Sequence, residues 1–258
     1  MRAMALPVIP DLAAWKAARL AALTADDGWL NLTDRVGLVI GAQTVGRAAG
    51  NDVIIRSGPD RLGTLTLTGQ GGWLCLPDGP VLPFVAKPET PPQLRAAGLL
   101  LELHGDTGET ALRVRDLALP RDAKLTYFPT DPAWIIRADW LVSPKPQSQV
   151  IDHKGGTATT VALTHVARFH HADHEVTLQV THWKAGKPMF VLRDATSGHQ
   201  TYAASRFLIG DAAARGHITL DFNRAFTPPC GFSEFAICPL PPRSNILPFA
   251  VQAGEMWP

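Results

Sequence analysis

Charge of either sign is scarce in this sequence of 258 residues, in which 18% of the residues are charged and the formal net charge is +1. A nearly neutral chain has no overall attraction for polyanions or anionic lipid, so we expect neither nucleic acid nor a membrane as a partner. No apolar run is long enough to span a bilayer. The amino-terminal stretch is broken by Pro7 and Pro10 and makes a poor secretion signal, so we expect a cytoplasmic protein.

Cysteine is also rare, and its three positions exclude a disulfide scaffold. Cys75, in WLCLP, is predicted to be a small buried strand residue. Cys230 and Cys238 lie close together beside prolines, and we interpret them as buried reduced thiols. A disulfide, a metal site or a reactive thiol are the alternatives. Zinc needs about four ligands, and only two are present here, so we predict no metal site.

The first part of the chain predicts one helix followed by short strands. Residues 11–24 have helical periodicity with Asp11 as a candidate N-cap. Trp15 and Trp29 are predicted to anchor this helix. From residue 29 onward, short runs rich in Val, Ile, Leu and Thr alternate with turn residues, which is typical of a β-sandwich or barrel. No strand–helix–strand alternation occurs, so a dinucleotide-binding fold is not expected.

The second part is also β-rich. WIIRADWLV predicts a strand with Trp134, Ile136, Ala138 and Trp140 on one side. The following SPKPQSQ, residues 143–149, is the best linker candidate, with an edge strand or a bend as alternatives. Residues 157–183 then predict a long hairpin that turns at Ala172 and Asp173.

The fold class is therefore mainly β: an N-terminal helix, a sandwich-like N-terminal half, and a β-rich, barrel- or sandwich-like C-terminal half with a proline-rich tail. We predict a helix packed on the body over residues 1–30, a sandwich half over 31–142 and a second half over 143–258. One continuous domain is the alternative.

Histidines concentrate in the predicted hairpin and raise the question of a metal site. Neighbouring strand residues face opposite ways, so His170 and His171 cannot both point into one site without a bulge. We expect solvated histidines and no metal. The hairpin histidines are His165, His170, His171, His174 and His182.

The candidate functional site is the tail, roughly residues 190–255, where polar residues, arginines and prolines collect. Residues 201–208 and 218–226 are predicted to form strands. Two arginines favour an anionic ligand such as a phosphate or carboxylate, with Tyr202 or Phe232 stacking on it. Buried ion pairs that only fix the tail are the structural alternative. The predicted ligand-binding residues are Asp194, Thr196, Tyr202, Arg206, Asp221, Asn223, Arg224 and Cys230.

Two other functions stay open. A hydrolase or transferase would use Asp194 and Asp221 as an acid–base pair, or Cys230 as nucleophile, although no Gly-x-Ser-x-Gly motif is present. No residue is assigned a catalytic role, and no cofactor is identified. A protein-interaction module is the third interpretation, and it rests on the first resemblance below.

QTVGRAAGNDVII, at 43–55, resembles the start of forkhead-associated domains, which are β-sandwiches that bind phosphothreonine peptides. Gly46, Arg47, Asn51 and Asp52 match that family. Its Ser-x-x-His motif is replaced by RSGPDRLGTL, so phosphopeptide binding is not expected, although Arg47 has the fork geometry for a phosphate contact.

A second resemblance covers most of the chain. VGRAAGNDVII, YFPTDPAW, LRDATSGHQTYAASRFL and the stretch from LDFNRAF to VQAGE resemble the bacterial family called domain of unknown function 1684. The resemblance implies no activity. The sequence departs from the family pattern at Ser205, Phe226, Thr227 and Gly231, and Arg243 and Ser244 replace the usual acidic residue before Asn245. The matching polar residues and glycine are Asp194, Thr196, Ser197, Gly198, Thr201, Tyr202, Arg206, Asp221, Asn223, Arg224, Cys230, Cys238 and Asn245.

Overall fold

The computed structural model describes residues 12–87, 90–106, 109–152 and 158–257, with the side chains of 106, 144–152 and 158–163 left out. The chain divides into two compact units. One comprises Ala21–Ala123, and the other comprises Met1–Leu20 together with Lys124–Pro258. The boundaries at 20/21 and 123/124 differ from the 30/31 and 142/143 that we predicted. No helix in the described residues is long and apolar enough to cross a membrane.

The predicted N-terminal helix is confirmed as α1 (Leu12–Thr24), whereas Asp11 lies outside the described residues. A turn follows the helix, in which the Gly28 amide donates to the Ala25 carbonyl at 2.9 Å. A Cβ at this position would lie 2.3 Å from the Leu23 carbonyl oxygen, so only glycine fits the close approach.

The unit Ala21–Ala123 is a two-layer β-sandwich, as predicted for the first half. Its described residues form a sheet of order β1-β10-β9-β8-β7 and a sheet of order β3-β2-β4-β5-β6. Apolar residues of both sheets share one core, in which Val45, Leu65, Leu101 and Leu112 are fully buried. The strands are β1 (Leu32–Leu38), β2 (Gly41–Gly46), β3 (Val53–Ile54), β4 (Gly63–Thr68), β5 (Gly71–Cys75), β6 (Val81–Pro83), β7 (Val85–Lys87), β8 (Thr90–Ala96), β9 (Leu99–Asp106) and β10 (Glu109–Asp116).

Two local predictions for this unit were wrong. VGLVIG, residues 36–41, is one of the short apolar runs after residue 29 that predicted strands, but the chain turns within it, leaving Val39 and Ile40 65% and 69% exposed. Cys75 is exposed rather than buried. The reason is the two-residue period of β5: Leu74 faces the core, so both of its neighbours face away from it.

A buried ionic cluster crosses the first sheet. Glu102 accepts hydrogen bonds from Arg113 at 2.9 Å, Arg115 at 3.1 Å and Gln93 at 3.0 Å. The two guanidinium groups lie 5.2 and 5.9 Å from the centroid of the Trp29 ring. Burial disfavours the charged carboxylate, but attraction to Arg115 and the hydrogen bonds from Gln93 and Arg113 outweigh it. The pKa of Glu102 is therefore held below the ordinary value for glutamate.

This cluster should make the unit sensitive to acid. A lowered carboxylate pKa stabilises the folded state fully above the unfolded pKa of about 4.3. That contribution is lost as the pH falls from there through the lower folded pKa. Glu102→Gln should therefore lower the melting temperature at pH 7 and flatten its decline between about pH 5 and 3. The exposed Glu109→Gln is the matched control, and equal slopes for the two variants would contradict the prediction.

The other unit is also β-rich. Its described residues form sheets of order β14-β13-β12-β18, β15-β16-β17 and β11-β19. The first two sheets share a core that includes Ile136, Ala167, Phe190 and Leu208. The strands are β11 (Thr126–Tyr127), β12 (Ile135–Asp152), β13 (Ala158–His171), β14 (His174–Gln179), β15 (His182–Lys184), β16 (Lys187–Leu192), β17 (Arg206–Ile209), β18 (His217–Asp221) and β19 (Glu255–Met256).

The linker candidate at 143–149 lies inside β12, so a strand is the correct alternative. β12 pairs with β13 from Asp139↔Arg168 to Asp152↔Ala158, with an irregularity between Val142 and Gln147. β12 pairs with β13 on both sides of this irregularity, which explains why no boundary between units falls there. Ile136 and Ala138 are buried and Trp140 is partly buried against the same core, as the alternation predicted. Trp134 is also buried, but it belongs to a 3-10 turn that precedes β12.

The predicted hairpin is confirmed, with its turn at Ala172, whose φ is 50°. Two of its histidines are partly buried against tryptophan rings rather than simply solvated. His171 stacks on Trp134 at 4.5 Å between centroids, and His165 stacks on Trp140 at 4.9 Å. No three His, Cys, Asp or Glu side chains in the described part of the chain are grouped to hold a metal ion.

The proline-rich tail is fixed to this unit by Asn245. Its side-chain amide donates to the carbonyls of Gln179 and Val191, both at 2.9 Å, and its oxygen accepts from the Gln179 amide at 2.7 Å. One buried side chain thus satisfies three backbone groups on two strands of different sheets, β14 and β16. This explains how a segment with little regular structure stays packed.

Candidate functional site

Asp194 and Arg206 form a buried ion pair that is closed to solvent. The Asp194 carboxylate accepts from Arg206 Nη2 at 2.6 Å, and both side chains are 0% exposed. Its other oxygen accepts from the Thr196 amide and hydroxyl and from the Val251 amide. Arg206 also donates to the carbonyls of Val251 and Ala253. This pair therefore ties β17 to the tail.

Asp221 and Arg224 form a second ion pair, in a turn rather than in the predicted strand. β18 ends at Asp221, and residues Phe222–Arg224 form one turn of 3-10 helix. Asp221 caps this turn by accepting from the Asn223 amide at 3.1 Å, and its other oxygen lies 3.2 Å from Arg224 Nε. The Asn223 side chain exchanges hydrogen bonds with the backbone of Asp131.

Tyr202 and Cys230 meet in a third place. The Tyr202 hydroxyl donates to the Cys230 carbonyl at 2.8 Å, and the Cys230 amide lies 3.2 Å from the Cys238 sulfur. Both cysteines are buried and neither is in a disulfide, which agrees with the interpretation as reduced thiols. The strand predicted over 201–208 begins only at Arg206. Tyr202 therefore lies outside it.

The eight residues that we nominated thus fall into three clusters rather than one. Of the two arginines, Arg206 is wholly enclosed, whereas Arg224 lines an open cavity. We call it the Arg224 cavity; its volume is about 260 Å³. It is lined by Trp15, Lys184, Ala185, Lys187, Ile209, Gly210, Asp211, Arg224 and Phe226.

Two lysines of this cavity are fixed by a tight hairpin. Lys184 and Lys187 are directly opposite each other across β15 and β16. They are joined only by Ala185 and Gly186, whose φ angles of 47° and 73° suit a two-residue turn. Like charges opposite each other on paired strands destabilise a hairpin. Arg224 brings a third cation to the same cavity, against one carboxylate, Asp211.

The lysines, Asp211 and Trp15 were missed from the sequence. The lysines had a local signal, since KAGK contains a two-residue hairpin loop between like charges. Trp15 had none, because it comes from α1, about 200 residues away from Arg224 along the chain.

A further cluster beside the cavity was also missed. Arg19 donates to the buried Glu255 carboxylate at 2.7 Å and to the Thr227 carbonyl at 2.8 Å. Glu255 also accepts from the Thr227 amide at 2.8 Å and from the Tyr127 hydroxyl at 3.5 Å. Burial and the Glu255 carboxylate raise the pKa of Tyr127 above its ordinary value, so this hydroxyl stays protonated and donates.

Comparisons with known proteins place the second unit in a family. A family model described as "Protein of unknown function (DUF1684)" matches residues 123–256. Among solved structures, the chain is similar to the solution NMR structure of an uncharacterized protein of Haloarcula marismortui. The two share 30% sequence identity over 52% of this chain and 76% of that one, with a TM-score of 0.43. No curated protein matches the chain.

Proposed function

This chain belongs to the DUF1684 family, as its tail motifs predicted, and we propose that it binds a small anion in the Arg224 cavity. The observation that carries the proposal is that three cationic side chains line one small cavity with a single carboxylate in its lining. Asp221, which does not line the cavity, pairs with one of the three, Arg224. Lys184, Lys187 and Arg224 can each donate charge-assisted hydrogen bonds to a phosphate or carboxylate group. A bound anion would also relieve the repulsion between the two paired lysines.

The residues on which the other two interpretations depend do not line this cavity. Asp194 and Cys230, proposed for acid–base and thiol chemistry, are both buried, and both oxygens of the Asp194 carboxylate accept internal hydrogen bonds. Arg47, proposed for peptide binding, makes an exposed ion pair with Asp60 at 2.9 Å. Of the eight residues nominated from sequence, Arg224 is the one that we retain as a ligand contact. Asp221 is its positioning partner.

The test is a titration with inorganic phosphate at low ionic strength, followed by amide chemical shifts. We expect saturable shifts at Lys184–Lys187, Gly210 and Arg224. Replacing both lysines by glutamine should weaken binding by about tenfold or more, the equivalent of losing one charged hydrogen bond. Lys124→Gln removes an exposed lysine that does not line the cavity, so it should leave the dissociation constant unchanged.

Replacing the single carboxylate of the lining should change the phosphate affinity in the opposite direction. Asp211→Asn removes the negative charge from the lining, so it should tighten phosphate binding. Added salt should weaken binding in every variant. The proposal is wrong if phosphate causes no saturable shifts near the cavity, or if the double glutamine variant binds as well as the unmodified protein.

A further inference from the structure

The Arg224 cavity has an apolar side that a bare anion would leave unused. Trp15 and Phe226 line it together with Ile209. The two rings lie 6.4 Å apart between centroids with their planes inclined at 56°. Aromatic rings attract another ring in edge-to-face or offset geometry at centroid separations of about 4.5–7 Å. The lining of the cavity therefore combines cationic groups with aromatic residues suited to a flat ring.

The aromatic side is held in place before any ligand binds. Phe226 exchanges two backbone hydrogen bonds with Phe207, at 2.8 and 2.9 Å, and their rings meet edge to face. The Arg19 guanidinium lies 4.8 Å from the centroid of the Phe226 ring. Trp15 packs edge to face on Tyr127. Because these rings are already ordered, a ligand ring need not order them, which favours affinity.

The volume limits the size of the ligand. A dry cavity of about 150 Å³ is enough to hold benzene. The Arg224 cavity, at about 260 Å³, has room for one such ring and an anionic group. It lies below the range of about 300–1,000 Å³ that is typical for drug-sized ligands, so a dinucleotide would not fit inside it.

We infer that the ligand is a small aromatic anion, with one ring against Trp15 and Phe226 and a phosphate or carboxylate group at Lys184, Lys187 and Arg224. This inference rests on the proposed function, because it assigns the organic part of the ligand bound at the same site. A ligand with only an anionic group would account for the two lysines. A ligand that also has a ring would contact Trp15 and Phe226 as well.

The experiment compares phenyl phosphate with methyl phosphate by calorimetry, since the two carry the same anionic group. Phenyl phosphate should bind about tenfold more tightly, because burying a ring adds apolar contact and ring–ring attraction. Trp15→Leu should bring the two dissociation constants close together, because the ligand ring then loses its aromatic contact. Trp15→Phe should keep most of the preference. Trp183→Leu replaces an exposed tryptophan outside the cavity and should keep all of it.

The outcomes separate the two proposals. Equal affinity for phenyl and methyl phosphate overturns the aromatic inference and leaves the anion site intact. A preference for phenyl phosphate that survives Trp15→Leu also overturns it, because the ring then binds elsewhere. Loss of all phosphate binding in the unmodified protein overturns the proposed function itself. If Trp15→Leu does not fold, Phe226→Leu provides the same test at the other aromatic residue of the lining.

Discussion

Asp194→Asn is expected to lower the free energy of unfolding of its unit by about 3–5 kcal/mol, which is typical when one partner of a buried ion pair is lost. The substitution keeps the shape of the side chain and removes its charge. Arg206 would then be a fully buried cation whose described acceptors, among them the carbonyls of Val251 and Ala253, are all uncharged. Native-state hydrogen exchange of the Phe190 and Leu208 amides, both in core strands, measures the change.

The matched control is another aspartate of the same unit. Asp139 faces Arg168 at 3.8 Å, and the two side chains are about half exposed. Asp139→Asn should change the free energy of unfolding by less than about 1 kcal/mol, because exposed ion pairs contribute little. If both substitutions cost the same small amount, burial of the Asp194–Arg206 pair has no structural importance.

Arg19→Leu should also destabilise the same unit by about 3–5 kcal/mol, as expected for an uncompensated buried charge. Leucine keeps the apolar contact of the arginine stem with the aromatic rings around it. The Glu255 carboxylate, with 0% exposure, would lose its cationic partner and keep only the Thr227 amide and the Tyr127 hydroxyl. Urea unfolding followed by circular dichroism measures the loss of stability.

Lys16 provides the control on the same helix. Its ammonium lies 4.3 Å from the centroid of the Tyr127 ring and is only partly buried. Lys16→Leu should cost less than about 1 kcal/mol, the typical contribution of an exposed cation–π contact. Equal effects of the two leucine substitutions would show that the helix is held by apolar packing and that the Arg19–Glu255 pair is not required.

The sequence predicted elements well where local periodicity was strong. The apolar repeat of α1, the alternation through Ile136 and Ala138, and the hairpin turn at Ala172 all follow from contacts between near neighbours in the chain. The prediction from sequence failed where local residue preferences indicated one structure and the pairing of strands produced another. The prolines of residues 143–149 indicated a linker, yet the segment is a strand because β13 runs alongside it. The apolar run at Val39 and Ile40 indicated strand but is an exposed turn.

The candidate site shows the same limit. Alternation would have placed Asp221 and Arg224 on opposite faces of a strand, because successive strand residues alternate. The 3-10 turn after Asp221 instead brings residues three apart together, and the two side chains pair. Arg206 and Arg224 look equivalent in the sequence, and only the packing around them makes one a buried support and the other a cavity residue.

By itself, the sequence determined the mainly β class, the terminal helix, the family of the tail and the polar residues from which a site is built. These properties depend on residue types and on spacings of two to four residues, which a linear chain displays directly. The tertiary structure decided which polar residues stay accessible, because burial depends on partners far apart in the chain. Asp194 meets Val251, Arg19 meets Glu255, and Trp15 shares a cavity with Arg224. Only folding brings such pairs together, so the site itself is a property of the fold.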